Sequence, residues 1–324
     1  MWSWPWSKGP SGFGYFSTAE EVSQGIDASN LTAIVTGATN GIGKETARVL
    51  ALRGAKVIIP ARTLESGLKV KESLLEQHPD SNFQVLEMDT SSLDSVRNFA
   101  KSFSSSNKHL NILINNAGIM ACPFQLSRDG VELQFATNHL GHFLLANMLL
   151  EKMKSTAKQT GIKGRIINVS STAHRRSNGS RFDLEKLNDQ SRYKPFAAYA
   201  DSKLANILHA NELSRHLQEE GSLVTANSLH PGVIPTNIVR YIDLGGATVS
   251  ALLALAKPFL KNIPQGAATT CYLALHPNVK DVSGKYFHNS NETLPTKYAR
   301  DMDLAKNLWN ISQNLVNKIG SGRK

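Results

Sequence analysis

From Leu31 onward, short apolar runs alternate with stretches of helical spacing. Ala33–Val35 is a small, β-branched apolar run that stops at Thr36, and beyond Gly43 apolar residues recur at Ala47, Val49, Leu50 and Leu52, the period of a helix. Lys56–Pro60 predicts a second strand and Leu64–Gln77 a helix closed by His78-Pro79. Phe83–Glu87 predicts a third strand, followed by a helix through Val96, Phe99 and Phe103. Leu110–Ile114 predicts a fourth strand, and a long helix runs from Asp129 to Met153. Ile166–Val169, entered through Gly164-Arg165, predicts a fifth strand. A helix over Tyr199–Leu217, a sixth strand at Leu223–Leu229 and a seventh at Lys285–Phe287 complete the pattern. Buried strands separated by helices of this length predict an α/β domain whose parallel sheet is covered on both faces.

The stretch Leu31–Gly43, LTAIVTGATNGIG, carries the first candidate chemistry. Strand, glycine turn and helix together form the arrangement that holds a dinucleotide pyrophosphate. Gly37 permits the sharp turn, Gly41 lets backbone N–H groups approach phosphate oxygens, and Gly43 allows close helix–strand packing. Thr39, Asn40 and Ile42 share that loop. The predicted architecture is therefore a single-domain doubly wound Rossmann fold with about seven parallel strands flanked by helices. Residues 1–28 form an aromatic leader, 29–290 the dinucleotide-binding domain, and 291–324 a C-terminal helix and basic tail. In the leader, Ser17-Thr-Ala-Glu20 has a capping-box pattern that opens a short helix ending near Gly25.

Composition narrows the class. A chain of 324 residues can bury a large core, and its two cysteines, Cys122 and Cys271, suit a reducing compartment better than a disulfide scaffold. The formal charge of +10, from 36 basic and 26 acidic side chains, fits a phosphate-rich cofactor or an anionic membrane surface. The basic residues are scattered and accompany no nucleic-acid-binding motif, so nucleic acid is not an expected partner. No uninterrupted apolar run is long enough to span a bilayer. The Trp-rich first residues lack the apolar region of a secretory signal and read equally as a flexible leader or an interfacial anchor.

Thr-Gly-x3-Gly-Ile-Gly resembles the short-chain dehydrogenase/reductase superfamily. At the end of the second strand, where an NAD-binding fold places a carboxylate on the ribose diol, this chain has Pro60-Ala61-Arg62. A guanidinium offers a paired fork to a 2′-phosphate, so Arg62 points to NADP(H); Lys44 is a weaker candidate. Asn115-Asn116-Ala117-Gly118 matches a second superfamily signature, and the resemblance places Asn116, Ala117 and Gly118 beside the adenosine ribose. It likewise places Asp89, followed by Thr90, near the adenine amino group; a helix N-cap is the alternative for Asp89. His230-Pro231-Gly232 resembles the loop that, with Thr236, contacts the nicotinamide carboxamide.

Tyr199-Ala-Asp-Ser-Lys203 puts a phenol and an ammonium on one helix face. A phenol titrating near 10 needs tuning for proton transfer at neutral pH, and the expectation is that Lys203 lowers it. Lys203 can also bind the nicotinamide ribose. The resemblance makes Ser171 the substrate-oriented hydroxyl, with Ser170 the alternative, and Asn138 the amide that holds a water leading from Lys203 to solvent. His139 and His142 read as helix packing rather than metal ligands, so no metal is expected. The implied reaction is hydride transfer at a carbonyl or alcohol, with Tyr199 as acid or base.

A finer resemblance runs through NHLGHF (Asn138–Phe143), the long segment between Ser171 and Tyr199, YADSKLANILHANEL (Tyr199–Leu213), NNAGIMACPF (Asn115–Phe124) and PQGAATTCYLAL (Pro264–Leu275). These are similar to the group of retinol dehydrogenases, WW-domain oxidoreductases and plant chloroplast-envelope short-chain dehydrogenases. With STAEEV (Ser17–Val22), they are most similar to the plant branch associated with the inner-envelope import translocon. That branch implies a hydrophobic substrate, a peripheral inner-envelope location in chloroplasts, and a translocon or membrane-surface partner. Homodimers are usual in the superfamily. Leu244–Leu260 reads as a mobile lid or a membrane contact, and Lys306–Lys318 as a closing surface helix or a calmodulin-type target helix.

Overall fold

The computed structural model describes residues 7–235 and 260–321. Eight strands form one sheet: β1 Thr32–Val35, β2 Lys56–Ala61, β3 Phe83–Glu87, β4 Ile112–Asn115, β5 Gly164–Val169, β6 Val224–His230, β7 Tyr286–His288 and β8 Asn291–Glu292. Their order is β3-β2-β1-β4-β5-β6-β7-β8. The first seven are parallel, and β8 pairs antiparallel with β7. This is the doubly wound architecture expected from the sequence. The strand beyond the expected seven is a two-residue return that the alternating pattern is too short to reveal.

The helices are α1 Ala19–Val22, α2 Gly41–Leu52, α3 Leu64–Leu75, α4 Leu93–Ser106, α5 Leu133–Phe135, α6 Gly141–Thr160, α7 Leu184–Leu187, α8 Pro195–Glu219, α9 Ile263–Leu275 and α10 Met302–Ser321. Strand side chains alternate between two buried clusters, as the pleat requires. Ile34, Ile58, Leu113 and Ile166 join the core under α4, α6, α8 and α10. Ala33, Val35, Val57, Ile59, Ile114 and Ile167 face the core under α1, α2 and α9. Both faces are covered, which is why these strands read as continuous apolar runs.

Several boundaries differ from the pattern. The capping box is Thr18 with Glu21, one residue later than expected: Glu21 N donates to Thr18 Oγ1 and Thr18 N to Glu21 Oε2. The long helix expected from Asp129 is interrupted. Ala136–Leu140 is a π-helical turn between α5 and α6, and Asn138 sits inside it. At the turn's end Gly141 lies against Thr90, where a Cβ would come within 2.1 Å of the Thr90 carbonyl oxygen. The catalytic-candidate helix begins earlier than expected, at Pro195, where the missing N–H costs nothing.

The leader is tied down where it is described. Asn291 of β8 accepts from Ser11 N at 3.0 Å and donates to Phe13 O at 3.0 Å. The C-terminal α10 buries Ala305, Leu308, Leu315 and Val316 against the domain, and its Trp309 meets Phe143 edge-on. Its apolar face is thus occupied, and reading Lys306–Lys318 as a partner-binding helix requires it to leave the domain. No helix among the described residues is long and apolar enough to cross a membrane.

Candidate active site

The C-terminal ends of β1, β4 and β5, together with the first turns of α2 and α8, converge on one cleft. At its base, Gly37 adopts φ +67°, and a Cβ there would sit 2.8 Å from the Ala117 Cα. A Cβ on Gly43 would lie 2.3 Å from the Gly37 carbonyl oxygen. Glycine is required at both places because backbone, not a flexible side chain, fills the space. The N-cap of α2, Asn40, makes no side-chain capping bond. The first N–H groups of α2 therefore face the turn uncapped, the donor set a pyrophosphate needs. These features fit a dinucleotide.

Thr36 joins this turn to the strand next to it. Its Oγ1 accepts from Asn116 N and Ala117 N, each at 2.9 Å, and Asn116 Nδ2 returns a bond to Thr36 O at 2.8 Å. Gly118 approaches both Asn138 Oδ1 and Lys203 Nζ, so the NNAG turn connects the glycine loop to the reacting groups. At the other end of the cleft, Arg62 is exposed just past β2. Asp89 follows β3 but does not cap α4. The cap is Ser92, whose hydroxyl accepts from Ser95 N, while Asp89 Oδ1 accepts from the Ser91 N–H and hydroxyl. The N-cap alternative for Asp89 is thereby corrected, because three more residues precede the first helical turn. Thr90 is buried beside Gly141. Lys44 bonds Ser73 Oγ of α3 at 3.0 Å.

Tyr199, Lys203, Ser170 and Ser171 meet where β5 ends against α8. Ser170 Oγ donates to the Lys203 carbonyl at 2.6 Å, deep in the interior. That bond commits Ser170 to holding α8. Ser171, whose Oγ accepts from Ala173 N at 3.2 Å, is left as the hydroxyl that bears on Tyr199. Burial raises the Tyr199 phenol to about 12, and the neighbouring Ser171 hydroxyl offsets this only in part. Lys203, fully buried, is lowered to about 8 by the same desolvation. Its Nζ donates to Val169 O at 3.1 Å and lies 5.6 Å from the centre of the Tyr199 ring. The expectation that Lys203 depresses Tyr199 is thus corrected. The ammonium sits beside the ring rather than at the phenol oxygen, and burial dominates.

Asn138 is held by protein through both ends of its amide. Its Oδ1 accepts from Ile119 N at 2.8 Å, while Nδ2 donates to Ile119 O and to Ser202 Oγ, each at 2.9 Å. Both amide protons are spent on protein, so the side chain anchors the chain after NNAG to α8. An amide ladder reinforces this seam: Asn115 Nδ2 donates to Asn168 Oδ1 at 2.8 Å, and Asn168 Nδ2 to Asn206 O at 3.1 Å. Pro231 and Gly232 follow β6 at the same end of the sheet. Thr236, and Leu244–Leu260 up to residue 259, lie outside the described residues. No group of three or more His, Cys, Asp or Glu side chains suited to a metal occurs among the described residues.

Sequence reasoning missed Thr36, Ser202, Asn168 and the hydrogen-bonding role of His142. Thr36 directly precedes Gly37, and His142 stands four residues after Asn138. Those spacings were the available signals, but each is also the spacing of ordinary packing.

Comparison with known proteins agrees with this geometry. The family profile described as short chain dehydrogenase matches residues 31–181. The chain is 54% identical over 311 residues to "Short-chain dehydrogenase TIC 32 A, chloroplastic" of Brassica napus, covering 96% of each. It is 40% identical to human retinol dehydrogenase 12, over 87% of this chain and 85% of that protein. A crystal structure of an uncharacterized protein from Mycobacterium paratuberculosis superposes with a TM-score of 0.71 at 33% identity, covering 93% of this chain and 98% of that one. The order of the strands, the glycine turn and the Tyr199–Lys203 pair all lead to one assignment: this chain belongs to the short-chain dehydrogenase family of oxidoreductases.

Proposed function

We propose that the protein is an NADP(H)-dependent oxidoreductase acting on a hydrophobic carbonyl or alcohol. The observation that carries this reading is the convergence of Tyr199, Ser171 and Lys203 at the end of β5, beside Gly118 and the glycine turn. The residues that would hold the cofactor are Gly37, Thr39, Asn40, Gly41, Ile42 and Gly43 at the pyrophosphate, Asp89, Thr90, Asn116, Ala117 and Gly118 along the adenosine, and Pro231, Gly232 and Thr236 near the carboxamide. Arg62 supports a 2′-phosphate, because no carboxylate ends β2 and a guanidinium stands exposed there. When bound, the nicotinamide supplies or accepts the hydride.

In the reductive direction Tyr199 donates its phenolic proton to the carbonyl oxygen as negative charge develops there. Burial keeps the phenol protonated at neutral pH, the form that this step uses. The Ser171 hydroxyl hydrogen-bonds the same oxygen and sets its position. Lys203, mostly ammonium below its value of about 8, adds positive charge beneath the ring and can hold ribose hydroxyls. Asn138 keeps the Ile119 segment and α8 in register around them.

Replacing Tyr199 with Phe is expected to abolish NADPH-dependent reduction of medium-chain aldehydes, retinoids or steroids while leaving NADPH binding intact. Full turnover by that variant would overturn the acid assignment. Titration should show tighter binding of NADPH than NADH; equal affinities would remove the role of Arg62.

A second reading concerns place. The 54% identity to chloroplastic relatives favours a plastid location, and we infer a peripheral position at the inner envelope with a nucleotide-sensing role beside the import machinery. Fractionation of chloroplasts with carbonate washing tests it: release from inner-envelope vesicles is expected, and recovery in the stroma alone refutes it.

A further inference from the structure

His142 is wholly buried at the start of α6 and takes no part in the chemistry above. Its Nδ1 lies 3.0 Å from the Asn138 carbonyl oxygen and its Nε2 lies 2.9 Å from Thr36 Oγ1. A carbonyl oxygen only accepts, so Nδ1 carries the proton. Burial, with a smaller contribution from the nearby Lys203 charge, lowers the imidazole to about 4 and keeps it neutral. Nε2 is therefore an acceptor, and the Thr36 hydroxyl must donate to it. The two lone pairs of that hydroxyl then receive the Asn116 and Ala117 N–H groups. The Ile114 carbonyl, at 3.3 Å, is the poorer alternative for its single proton. With His142 as the acceptor, every hydrogen-bonding position of Thr36 Oγ1 is filled at 2.9 Å.

We propose that His142 is a positioning residue for cofactor binding: it fixes the rotation of the Thr36 hydroxyl and so aligns the glycine turn and the NNAG turn. The same ring ties this assembly to the π-helical turn that carries Asn138. One side chain thereby connects the dinucleotide cradle to the seam holding Tyr199 and Lys203, through Asn138 Nδ2 to Ser202 and Ser202 Oγ to Tyr199 O at 2.8 Å. The proposal rests on the reading that the cleft takes NADP(H).

The test is a double-mutant cycle on the full chain with His142→Leu, Thr36→Val and the pair, read by NADPH fluorescence titration and steady-state kinetics. Loss of the His142–Thr36 bond predicts about tenfold weaker NADPH binding in His142→Leu and a larger loss in Thr36→Val, which also unpairs the Asn116 and Ala117 N–H groups. The loss should fall on KM for NADPH far more than on kcat. The pair should lose clearly less than the product of the two singles, because both break the His142–Thr36 contact, while Thr36→Val alone also removes the acceptor of the Asn116 and Ala117 N–H groups. His142→Gln, which offers a donor and an acceptor in similar places, should restore most of the affinity. Wild-type affinity in His142→Leu, or a loss in the pair equal to the product of the two singles, overturns the proposal. If His142→Leu does not fold, Thr36→Val and His142→Gln decide: wild-type affinity in the first, or a loss as large as that of Thr36→Val in the second, is a negative result. A wild-type protein that binds no NADPH would overturn the cofactor reading itself, and this role with it.

Discussion

Replacing Lys203 with Met should make the protein more stable and inactive. Lys203 is a fully buried ammonium whose value falls from 10.5 to about 8 through desolvation alone. At 1.36 kcal/mol per pH unit, holding it charged at neutral pH costs roughly 3 kcal/mol. Methionine has a similar shape and removes that cost. Its main loss is the bond to Val169 O, and that carbonyl keeps a second donor, Asn206 Nδ2 at 3.0 Å. With about 1 kcal/mol deducted for the lost bond, the net gain is about 2 kcal/mol. The pH dependence has a definite sign. Unfolded lysine holds its proton to about 10.5 and the folded one releases it near 8. Between those values the unfolded state binds more protons, so this residue's contribution to stability rises with pH. Denaturant melts of both proteins at pH 7 and pH 9.5 are the assay, and the advantage of Lys203→Met should shrink at the higher pH. A variant less stable than wild type at pH 7, or an advantage that grows with pH, would show that burial is not what perturbs this lysine.

Gly43→Ala should lower NADPH affinity more than tenfold and destabilise the fold by about 1–3 kcal/mol, because its Cβ would meet the Gly37 carbonyl at 2.3 Å and Asn116 Nδ2 at 2.5 Å. Titration and a melt check this; wild-type affinity would mean the turn tolerates a Cβ. Ser170→Ala and Ser171→Ala should separate cleanly. The first removes a buried bond to the Lys203 carbonyl and costs about 1–2 kcal/mol of stability. The second should lower kcat by about 10²-fold with little change in melting. Kinetics and melts of the two variants, with the effects reversed, would exchange their roles.

Some of this molecule is written in local order. Apolar runs such as Ala33–Val35 and Ile166–Val169 announce buried parallel strands, and the glycines at 37, 41 and 43 announce the phosphate turn, because period and backbone permissiveness are properties of a few adjacent residues. Tyr199 and Lys203 share a helix face for the same reason. The two-residue β8 has no period to read, and the π-helical turn at Asn138 arises where α6 must meet Thr90 and Ile119 at once.

Which serine faces the cleft, what Asn138 holds, and how Tyr199 titrates were decided only when distant segments met. Ser170 is recruited by a carbonyl on α8, Asn138 by a backbone segment 19 residues before it, and His142 by a threonine 106 residues before it. Desolvation belongs to the packed interior, not to any stretch of chain. A sequence names the groups able to hydrogen-bond or ionise. Their partners, and the free energy of keeping them charged, exist only after tertiary packing has removed water.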